Sequence, residues 1–494
     1  MSQIEVKNLT FSYEGSYENI FDNVSFSFDT NWKIGFIGRN GRGKTTFLNL
    51  LLNKLKYEGQ INHSVNFEYF PCDIQNKDNL TIDVLSEIYP DYELWKVLKL
   101  TSELKLKDEC FYEKFSSLSN GEQTKFLLAI LFTKEDVFLL IDEPTNHLDY
   151  ETRECIKDFL GKRKGFIVVS HDRDFLDSCV DHIISINKNN IDIQKGNFSS
   201  WWQNKQNEDN FELKKNEDLR KSIEKLKESS RRIKTWGDKV EKTKNGTRVG
   251  GLKVDKGAVG HKAVKMMKRS KAIETRRNKE ISEKEKLLKN IDYQEDLFVT
   301  NSQKIKSDKS LIELKDVSIF YSDKKVVNNF SLSLSSGDRV ALIGENGSGK
   351  SSILRLIIGK NINFTGNLYK DSKLKFSFIS QNFENLNGCI DDFIVENNLN
   401  RTEFYTLLIK LGLNRNQFSK NISNLSLGQK KKLLIAKSLC EKSNIYIWDE
   451  PLNYIDVISR IQIENLIKEN NLTMIIVEHD IAFIKSVANK IYKL

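Results

Sequence analysis

The chain has 494 residues, of which 39% are hydrophobic and 29% charged, with a formal net charge of +9. This length exceeds one ordinary hydrophobic core and predicts two to four domains. The longest apolar runs are about seven residues, far short of the roughly 20 that cross a bilayer, and the amino terminus lacks a signal-peptide pattern. The six scattered cysteines form no Cys-x-x-Cys pair. This argues against zinc or iron–sulfur sites and predicts a cytoplasmic protein.

The first motif that carries chemistry is a glycine-rich loop near the amino end. An apolar run at residues 33–37 predicts a strand, and the segment GRNGRGKT follows it from Gly38 to Thr45. Backbone N–H groups of a G-x-x-x-x-G-K-[ST] loop surround phosphate oxygens, and the next helix directs its N-terminal dipole at the same anion. We therefore predict that Lys44 reaches the β- and γ-phosphates of a nucleotide and that the Thr45 hydroxyl binds Mg²⁺.

Acidic residues follow the next predicted buried strand, at residues 137–141. A carboxylate at the carboxyl end of a parallel strand, beside the phosphate loop, can hold hydrated Mg²⁺, and we assign this role to Asp142. Glu143 is then placed to orient or deprotonate the attacking water. A further strand at residues 166–169 leads to His171, the remaining candidate catalytic residue of this half.

The middle of the chain is strongly basic. Residues 212–290 contain 26 Lys and Arg against 12 Asp and Glu, no proline, and a central cluster of glycines. This pattern predicts a helical hairpin with a tip loop. Residues 231–279 hold 17 basic and 4 acidic residues, too few acids for self-paired helices, which favours RNA phosphates over a merely solvated face. The candidate RNA-binding residues are Arg231, Arg232, Lys234, Lys239, Lys242, Lys244, Arg248, Lys253, Lys256, Lys262, Lys265, Lys268 and Arg269.

The motifs of the first half return in the same order after the linker, at offsets of 306 to 308 residues. A second loop runs from Gly344 to Ser351 after a predicted strand at residues 339–343, and it contains Lys350. Predicted strands at residues 445–448 and 474–477 lead to a second acidic pair and a second histidine. The chain is therefore a tandem duplication of a module of roughly 200 residues. We predict domains at residues 1–205 and 301–494, joined by a linker at 206–300 with its tip near 243–265.

Two further segments are more selective: LSNGEQ from Leu118 and LSLGQ from Leu425. Together with the phosphate loops and acidic pairs, they resemble the signature of the ATP-binding cassette superfamily across both halves. That resemblance implies an α/β fold with two P-loop nucleotide-binding domains joined by a long α-helical hairpin. It also implies an ATPase that uses ATP and Mg²⁺. In this superfamily the cassettes pair head to tail, so we expect a monomer in which they pair within the chain.

By that resemblance, each ATP site combines residues from both halves. The first site joins Lys44, Thr45, Asp142, Glu143 and His171 to Ser426 and Gly428. The second joins Lys350, Ser351, Gln381, Asp449, Glu450 and His479 to Ser119 and Gly121, with Glu450 and His479 catalytic and Ser351, Gln381 and Asp449 at the metal. The other candidate ATP-binding residues are Gly38, Asn40, Gly41, Gly43, Thr46, Gly344, Asn346, Gly347, Gly349 and Ser352. Tyr13 and Tyr321 stand where the family stacks an aromatic ring on adenine, although either could instead pack under a strand.

The sequence departs from the family pattern at three places. Leu427 replaces a glycine of the second signature, and Cys72 stands in the first half where Gln381 stands in the second. The glutamine that senses Mg²⁺ is thus absent from the first half or displaced to Gln75. The segment after the second acidic pair reads N-Y-I-D at residues 453–456, against N-H-L-D at 146–149. These departures put equal turnover at the two sites in doubt.

The domain layout is similar to the ABC-F family, whose paired cassettes are joined by a two-helix linker that contacts transfer RNA. The long glycine-rich tip, GNFSSWW from Gly196 and GRNGRGKTT look like the antibiotic-resistance branch of the Vga and Lsa kind. This implies binding at the bacterial ribosomal exit site, contacts with large-subunit rRNA and tRNA, and release of lincosamides, pleuromutilins and streptogramin A. It implies neither DNA nor a membrane subunit as partner. The alternatives are a housekeeping ABC-F translation factor and, remotely, an exporter ATPase.

Overall fold

The computed structural model describes residues 3–14, 19–146, 148–187, 191–242, 268, 271–273, 275–276, 279, 297–299, 310–321, 324–345, 347–381 and 386–494. The chain divides into two compact units, one formed by Met1–Trp201 with Gln294–Leu494 and the other by Trp202–Tyr293. We call residues 1–201 the first cassette, 294–494 the second cassette and 202–293 the linker unit. Among helices in the described part of the chain, none combines the length and apolar character needed to span a bilayer.

The first cassette contains two sheets. An antiparallel sheet has the order β2-β1-β4, with β1 at Gln3–Phe11, β2 at Phe21–Asp29 and β4 at Glu58–Asn62. The larger sheet has the order β5-β6-β7-β3-β8-β9, and its strands are parallel except for β9. These strands are β3 Lys33–Gly38, β5 Asn66–Phe70, β6 Val137–Asp142, β7 Phe166–Val169, β8 His182–Ile186 and β9 Ile191–Lys195.

The second cassette repeats this arrangement. Its antiparallel sheet has the order β11-β10-β13, with β10 at Ile312–Tyr321, β11 at Lys324–Leu334 and β13 at Asn363–Lys370. Its parallel sheet has the order β14-β15-β16-β12-β17. These strands are β12 Arg339–Ile343, β14 Phe376–Ile379, β15 Ile445–Asp449, β16 Met474–Val477 and β17 Lys490–Lys493. The predicted α/β fold and its tandem duplication are confirmed.

Helices cover the parallel sheets and carry the motifs at their amino ends. In the first cassette they are α1 Lys44–Leu51, α2 Thr81–Ile88, α3 Leu94–Glu103, α4 Asn120–Thr133, α5 Tyr150–Gly161 and α6 Arg173–Cys179. After α7 Phe198–Lys242, the second cassette has α8 Lys350–Ile358, α9 Ile390–Glu396, α10 Arg401–Lys410, α11 Leu427–Cys440, α12 Val457–Asn470 and α13 Ile481–Val487. Each signature serine starts a helix through a capping box, Ser119 with Glu122 before α4 and Ser426 with Gln429 before α11.

Burial of the central strands explains why the sites form where they do. Strands β7 and β16 consist of buried apolar residues, as expected of parallel strands covered on both faces. Strands β3, β6 and β7 are neighbours and run parallel. Their carboxyl ends therefore meet at one edge, which brings the phosphate loop, the acidic pair and His171 together. The same order places the equivalent motifs together in the second cassette.

The linker unit is described mainly through helix α7, which has 45 residues. At about 1.5 Å per residue it extends about 65 Å. Helix α7 includes five of the predicted RNA-binding residues, at positions 231, 232, 234, 239 and 242. The structure describes only the backbone of these five residues. Lys268 is helical and exposed. The tip at 243–265 and the candidates Lys244, Arg248, Lys253, Lys256, Lys262, Lys265 and Arg269 also lie outside the described residues.

We expect Phe126→Ala to destabilise the first cassette by about 3–5 kcal/mol, because it removes a fully buried ring from α4. This ring packs edge-on against Phe111, with centroids 5.5 Å apart. The matched control is Phe211→Ala, since Phe211 lies on α7 with 69% of its surface exposed. Urea unfolding followed by circular dichroism should show a loss for Phe126→Ala alone. Equal effects of the two substitutions would contradict the assigned core.

Candidate ATP sites between the cassettes

The first candidate site is a cavity of about 540 Å³ lined by both cassettes. All seven residues predicted for this site line it: Lys44, Thr45, Asp142, Glu143, His171, Ser426 and Gly428. The predicted ATP-binding residues Tyr13, Asn40, Gly41, Gly43 and Thr46 line it as well. The cavity therefore brings the phosphate loop of one cassette to the signature of the other.

Internal hydrogen bonds of Lys44 stabilise the conformation of the phosphate loop. Lys44 Nζ donates hydrogen bonds to the carbonyl oxygens of Gly38, at 2.8 Å, and Arg39, at 3.4 Å. Gly43 adopts a φ of +93°, and a Cβ there would come within 2.5 Å of Ile20 Cγ2, so the loop requires glycine. Burial lowers the pKa of Lys44, while the negative charges of Asp456 and Glu143 oppose that shift. The loop thus presents a buried cation among acids from both cassettes.

Two hydroxyl groups converge on one carboxylate at the predicted metal position. Thr45 Oγ1 donates to Asp142 Oδ2 at 2.9 Å, and the Tyr69 hydroxyl donates to the same oxygen at 3.1 Å. Burial raises the pKa of Asp142, and these hydrogen bonds counteract that shift. The sequence analysis did not identify Tyr69 as a site residue. Aligning Cys72 with Gln381 would have pointed to it, because Tyr69 then aligns with Phe378, which has no hydroxyl group. The first site therefore has a donor that its counterpart lacks.

The predicted catalytic pair of the first site is in direct contact. His171 Nε2 lies 3.0 Å from Glu143 Oε1, and both side chains are largely buried. Burial raises the pKa of Glu143 to about 8, with a further contribution from the neighbouring charge of Asp142. Burial also lowers the pKa of His171 well below its usual value, aided by the positive charge of Lys44. Both shifts favour the neutral forms, because the desolvated charged forms are costly.

The cassettes approach each other closely at the signature of the second cassette. Asn40 Nδ2 donates to the Tyr454 carbonyl oxygen at 2.6 Å. A Cβ on Gly428 would lie 2.5 Å from both of these atoms, so only glycine fits there. Leu427, which replaces a glycine of the family pattern, lines the cavity and is 42% exposed. The substitution at 427 is thus accommodated, whereas Gly428 leaves no room for one.

The second candidate site is a cavity of about 390 Å³. It is lined by Lys350, Ser351, Ser352, Gln381, Glu450, His479, Gly347, Gly349, Val326 and, from the first cassette, Asn120. Ser119 and Gly121 flank Asn120 but are not among the residues that line this cavity, and neither are Asp449 and Tyr321. Lys350 Nζ donates to the carbonyl oxygens of Gly344 and Glu345 at 2.8 and 2.7 Å. Asn346 lies outside the described residues.

The catalytic carboxylates of the two sites have different surroundings. Glu450 Oε2 accepts hydrogen bonds from Gln381 Nε2 at 2.9 Å and Asn453 Nδ2 at 2.8 Å, and His479 Nε2 lies 3.5 Å from Glu450 Oε1. In the first cassette, Cys72 Sγ donates to the Tyr69 carbonyl oxygen at 3.5 Å. Gln75 is exposed, and neither Cys72 nor Gln75 lines the first cavity. The first site therefore has no side chain from residue 72 or 75 in its cavity, whereas Gln381 lines the second cavity and contacts its carboxylate.

The residues present fit a magnesium nucleotide. Backbone N–H groups of a glycine-rich loop and a buried lysine suit phosphates, and hydroxyl and carboxylate oxygens suit Mg²⁺. Asp449 Oδ1 is buried and accepts no hydrogen bond from the residues that the structure describes, which leaves an acceptor open for a hydrated cation. Thr45 with Asp142, and Ser351 with Asp449, would hold the metal. Lys44 and Lys350 would hold the phosphates.

Comparison with known proteins agrees with this geometry. The family model described as ABC transporter matches residues 21–146 and 327–453, just over half of the chain. The ATP-binding protein Uup of Buchnera aphidicola subsp. Acyrthosiphon pisum is 30% identical, over 99% of this chain and 80% of that protein. The chain is a tandem ABC ATPase of the ABC-F type. It therefore hydrolyses ATP and uses Mg²⁺.

Other similar proteins span almost the whole ABC-F-type chain. The ribosome protection protein VmlR of Bacillus subtilis is 26% identical over 98% of this chain and 86% of its own length. ABC transporter F family member 2 of Arabidopsis thaliana is 24% identical over 100% of this chain and 76% of its own length. Among solved structures, the archaeal ribosome recycling factor aABCE1 in complex with the stalk protein aP1 has a TM-score of 0.63 and 17% sequence identity. The match covers 98% of this chain and 87% of that one. This last likeness concerns the fold alone.

The geometry of this ABC-F-type ATPase suggests how its residues act in hydrolysis. Bound Mg²⁺–ATP supplies a γ-phosphate whose negative charge the metal partly neutralises. We propose that Glu143 and Glu450 orient a water molecule and accept its proton. Glu143 would be ionised for this role once Mg²⁺ is bound beside it, because a neighbouring cation lowers the pKa of a carboxyl group. His171 and His479 would hold these carboxylates in place. Closure by the signature of the opposite cassette would exclude bulk water and strengthen these interactions.

We expect Tyr69→Phe to weaken Mg²⁺–ATP binding at the first site severalfold, because it removes one of two donors to Asp142 Oδ2. Fluorescent ATP binding, titrated against Mg²⁺ in a chain whose second site is blocked by Lys350→Ala, measures the effect. Tyr150→Phe is the control, since Tyr150 is 48% exposed and does not line the cavity. Unchanged binding in Tyr69→Phe would contradict a role for this hydroxyl.

We expect Glu143→Gln to stabilise the nucleotide-free protein at alkaline pH. The folded chain keeps the Glu143 proton up to about pH 8, whereas the unfolded chain loses it near the ordinary pKa of 4.5. The free energy of unfolding therefore falls as pH rises through this window, and glutamine abolishes the fall. Thermal unfolding at several pH values should show an advantage of about 4 kcal/mol at pH 8 that falls nearly to zero below pH 4.5. A pH-independent difference, or one matched by the exposed control Glu151→Gln, would refute the assignment.

Proposed function

We propose that this ABC-F-type ATPase is a ribosome-protection protein. It binds the exit site of the bacterial ribosome, and its linker displaces tRNA and dislodges antibiotics from the peptidyl-transferase centre. The drug classes are lincosamides, pleuromutilins and streptogramin A, as in the Vga and Lsa branch. The protein acts as a monomer in the cytoplasm, without a membrane subunit. Its domains are the first ATPase domain at 1–205, the linker at 206–300 and the second ATPase domain at 301–494.

The observation that carries this proposal is the charge of the linker. The segment at residues 231–279 holds 17 basic and 4 acidic residues. Such an excess of positive charge favours nucleic-acid phosphates, because lysine and arginine side chains that bind phosphates release the condensed counterions. The glycine-rich tip combines basic residues with apolar ones such as Leu252 and Val254, a mixture suited to a narrow cavity with RNA walls. Trp236 is the single aromatic residue of the segment, so backbone charge would dominate over base stacking.

Similar proteins support the same proposal. VmlR, which aligns with 98% of this chain, is described as a ribosome protection protein. The archaeal aABCE1 structure is described as a ribosome recycling factor in complex with a ribosomal stalk protein. The cassettes would change conformation with the nucleotide. Because both cassettes contribute residues to the first ATP cavity, ATP binding favours their closed arrangement. Hydrolysis would then reopen them and release the ribosome.

We expect the double substitution Glu143→Gln with Glu450→Gln to trap the protein on ribosomes in the presence of ATP, because hydrolysis can no longer reopen the cassettes. Sedimentation through a sucrose cushion measures the bound fraction. The matched control is Lys44→Ala with Lys350→Ala, which removes both phosphate-loop lysines and should leave the protein in the supernatant. If the trapped variant never sediments with ribosomes, the ribosome proposal is wrong.

The drug assignment has its own test. Expression of the wild-type chain in a drug-sensitive bacterium should raise tolerance to the three drug classes. Replacing Lys262, Lys265, Lys268 and Arg269 by glutamine should abolish this effect and make ribosome binding less sensitive to salt. No rise in tolerance with intact ribosome binding would instead indicate a housekeeping ABC-F translation factor. Co-purification with membrane subunits in place of ribosomes would indicate an exporter ATPase.

A further inference from the structure

Helix α11 of the second cassette carries three consecutive lysines that are all buried. Lys430, Lys431 and Lys432 are 8%, 1% and 2% exposed. A buried ammonium group is costly unless partners compensate for its lost hydration. The equivalent positions on α4 of the first cassette are residues 123–125, which read Q-T-K and are only partly buried. The three lysines are therefore a feature of one cassette.

Lys432 contacts the first ATP site through Asp456. Its Nζ forms an ion pair with Asp456 Oδ2 at 2.5 Å and donates to the Leu411 carbonyl oxygen at 2.7 Å. Asp456 Oδ1 caps helix α12 by accepting from the Ser459 backbone N–H at 2.9 Å. Asp456 Oδ2 also lies 3.5 Å from the backbone nitrogen of Asn40, in the phosphate loop of the first cassette. Lys432 thus fixes a carboxylate of the second cassette against the first site.

Lys431 points to the other site. Its Nζ donates to the Ser380 carbonyl oxygen at 3.3 Å, directly before Gln381, whose side chain donates to Glu450. Burial lowers the pKa of Lys431, and the negative charge of Glu478 opposes that shift. Glu478 itself accepts hydrogen bonds from the backbone N–H groups of Leu452 and His479. Lys431 therefore reaches the segment that positions Glu450 in the second site.

The first cassette has no equivalent of this connection. The positions of Lys431 and Glu478 are occupied there by Thr124 and Ser170. Ser170 instead shares a hydrogen bond of 3.2 Å with Thr145, within its own cassette. Two charged residues of the second cassette therefore correspond to two hydroxyl residues of the first. The connection through Lys431 can therefore operate in only one of the two cassettes.

Helix α11 also begins at the first site, since Ser426 and Gly428 line that cavity. We propose that α11 transmits ATP occupancy from the first site to the second, with Lys432 and Lys431 as positioning residues. ATP in the first site engages the start of α11 and the Lys432–Asp456 pair. The same rigid turns then place Lys431 against the Ser380 carbonyl, so that Gln381 aligns Glu450. The inference rests on the hydrolytic role proposed for Glu450, and its direction is from the first site to the second.

The test measures single-turnover ATP hydrolysis by the isolated protein at the second site, in a Glu143→Gln background that cannot hydrolyse at the first. Emptying the first site with Lys44→Ala should slow this hydrolysis about tenfold, an ordinary coupling strength. Lys431→Thr should slow it by a similar factor, and the two changes together should cause no further loss. The matched control Lys430→Gln, which alters a neighbouring buried lysine, should leave both the rate and its dependence on Lys44 unchanged.

Multiplying effects, near a hundredfold in the combined variant, would overturn the proposal, as would a Lys431→Thr rate equal to that of the parent. If Lys431→Thr does not fold because Glu478 loses its cation, the paired change Lys431→Thr with Glu478→Ser reproduces the residues of the first cassette and removes both charges together. This paired variant should show the same loss of coupling. Retained coupling in it would equally refute the connection.

Hydrogen–deuterium exchange provides a readout that does not depend on turnover. In a Lys350→Ala chain, which binds ATP only at the first site, ATP should slow exchange in the peptide that ends at Gln381. Lys431→Thr should abolish this protection, whereas Lys431→Arg should preserve it through its retained charge. Protection that persists in Lys431→Thr would show that the signal does not pass through this residue. Because no ribosome is present, the outcome is separate from that of the ribosome-protection proposal.

Discussion

The close approach of the phosphate loop of the first cassette to the backbone around Gly428 is the constraint on which the first ATP site depends. Asn40 reaches the Tyr454 carbonyl at 2.6 Å, and the space left at residue 428 holds a hydrogen atom and nothing larger. The signature can therefore present its helix terminus to the cavity only when the two cassettes are in contact. Arg173 adds an ion pair to Glu464 across the same interface, at 2.7 Å.

Around that contact, the two ATP sites have diverged in their polar chemistry. The first site has the Tyr69 hydroxyl on its metal carboxylate and a cysteine in place of the glutamine. The second has Gln381 hydrogen-bonded to Glu450 and a buried lysine behind it. These differences concern the groups that hold the carboxylates, whereas the phosphate loops have nearly the same geometry. The phosphate loops are thus more alike in the two halves than the surroundings of the proposed catalytic carboxylates are.

Much of this fold could be predicted because its information is local. The strand at residues 166–169 is a short apolar run between turns, and it forms β7 at the expected bounds. The phosphate loops carry their own glycine pattern, so their place at a strand end followed directly. The ABC-F type followed from the motifs and layout, and the comparisons bear it out.

The remaining features depend on contacts between distant segments. Tyr69 meets Asp142 only because β5 pairs with β6, a register that no local pattern specifies. Lys431 and Lys432 look like an exposed charge run in the sequence, since most lysines on helices face solvent. Their burial follows from the packing of α11 between two sites. Ser119 and Gly121 do not line the second cavity, although Asn120 between them does. This too depends on how the two cassettes pack against each other, which residue types alone do not determine.

Having both cassettes in one chain also bears on evolution. In a symmetric homodimer, any substitution appears in both sites at once, so a change that benefits one site is tested against its effect on the other. Fusion of two copies lifts that restriction. The exchange of Thr and Ser for Lys431 and Glu478 could arise in a single lineage of repeats while the other kept its hydroxyls. Gene duplication thereby turned an obligatory symmetry into two separately adjustable reaction centres.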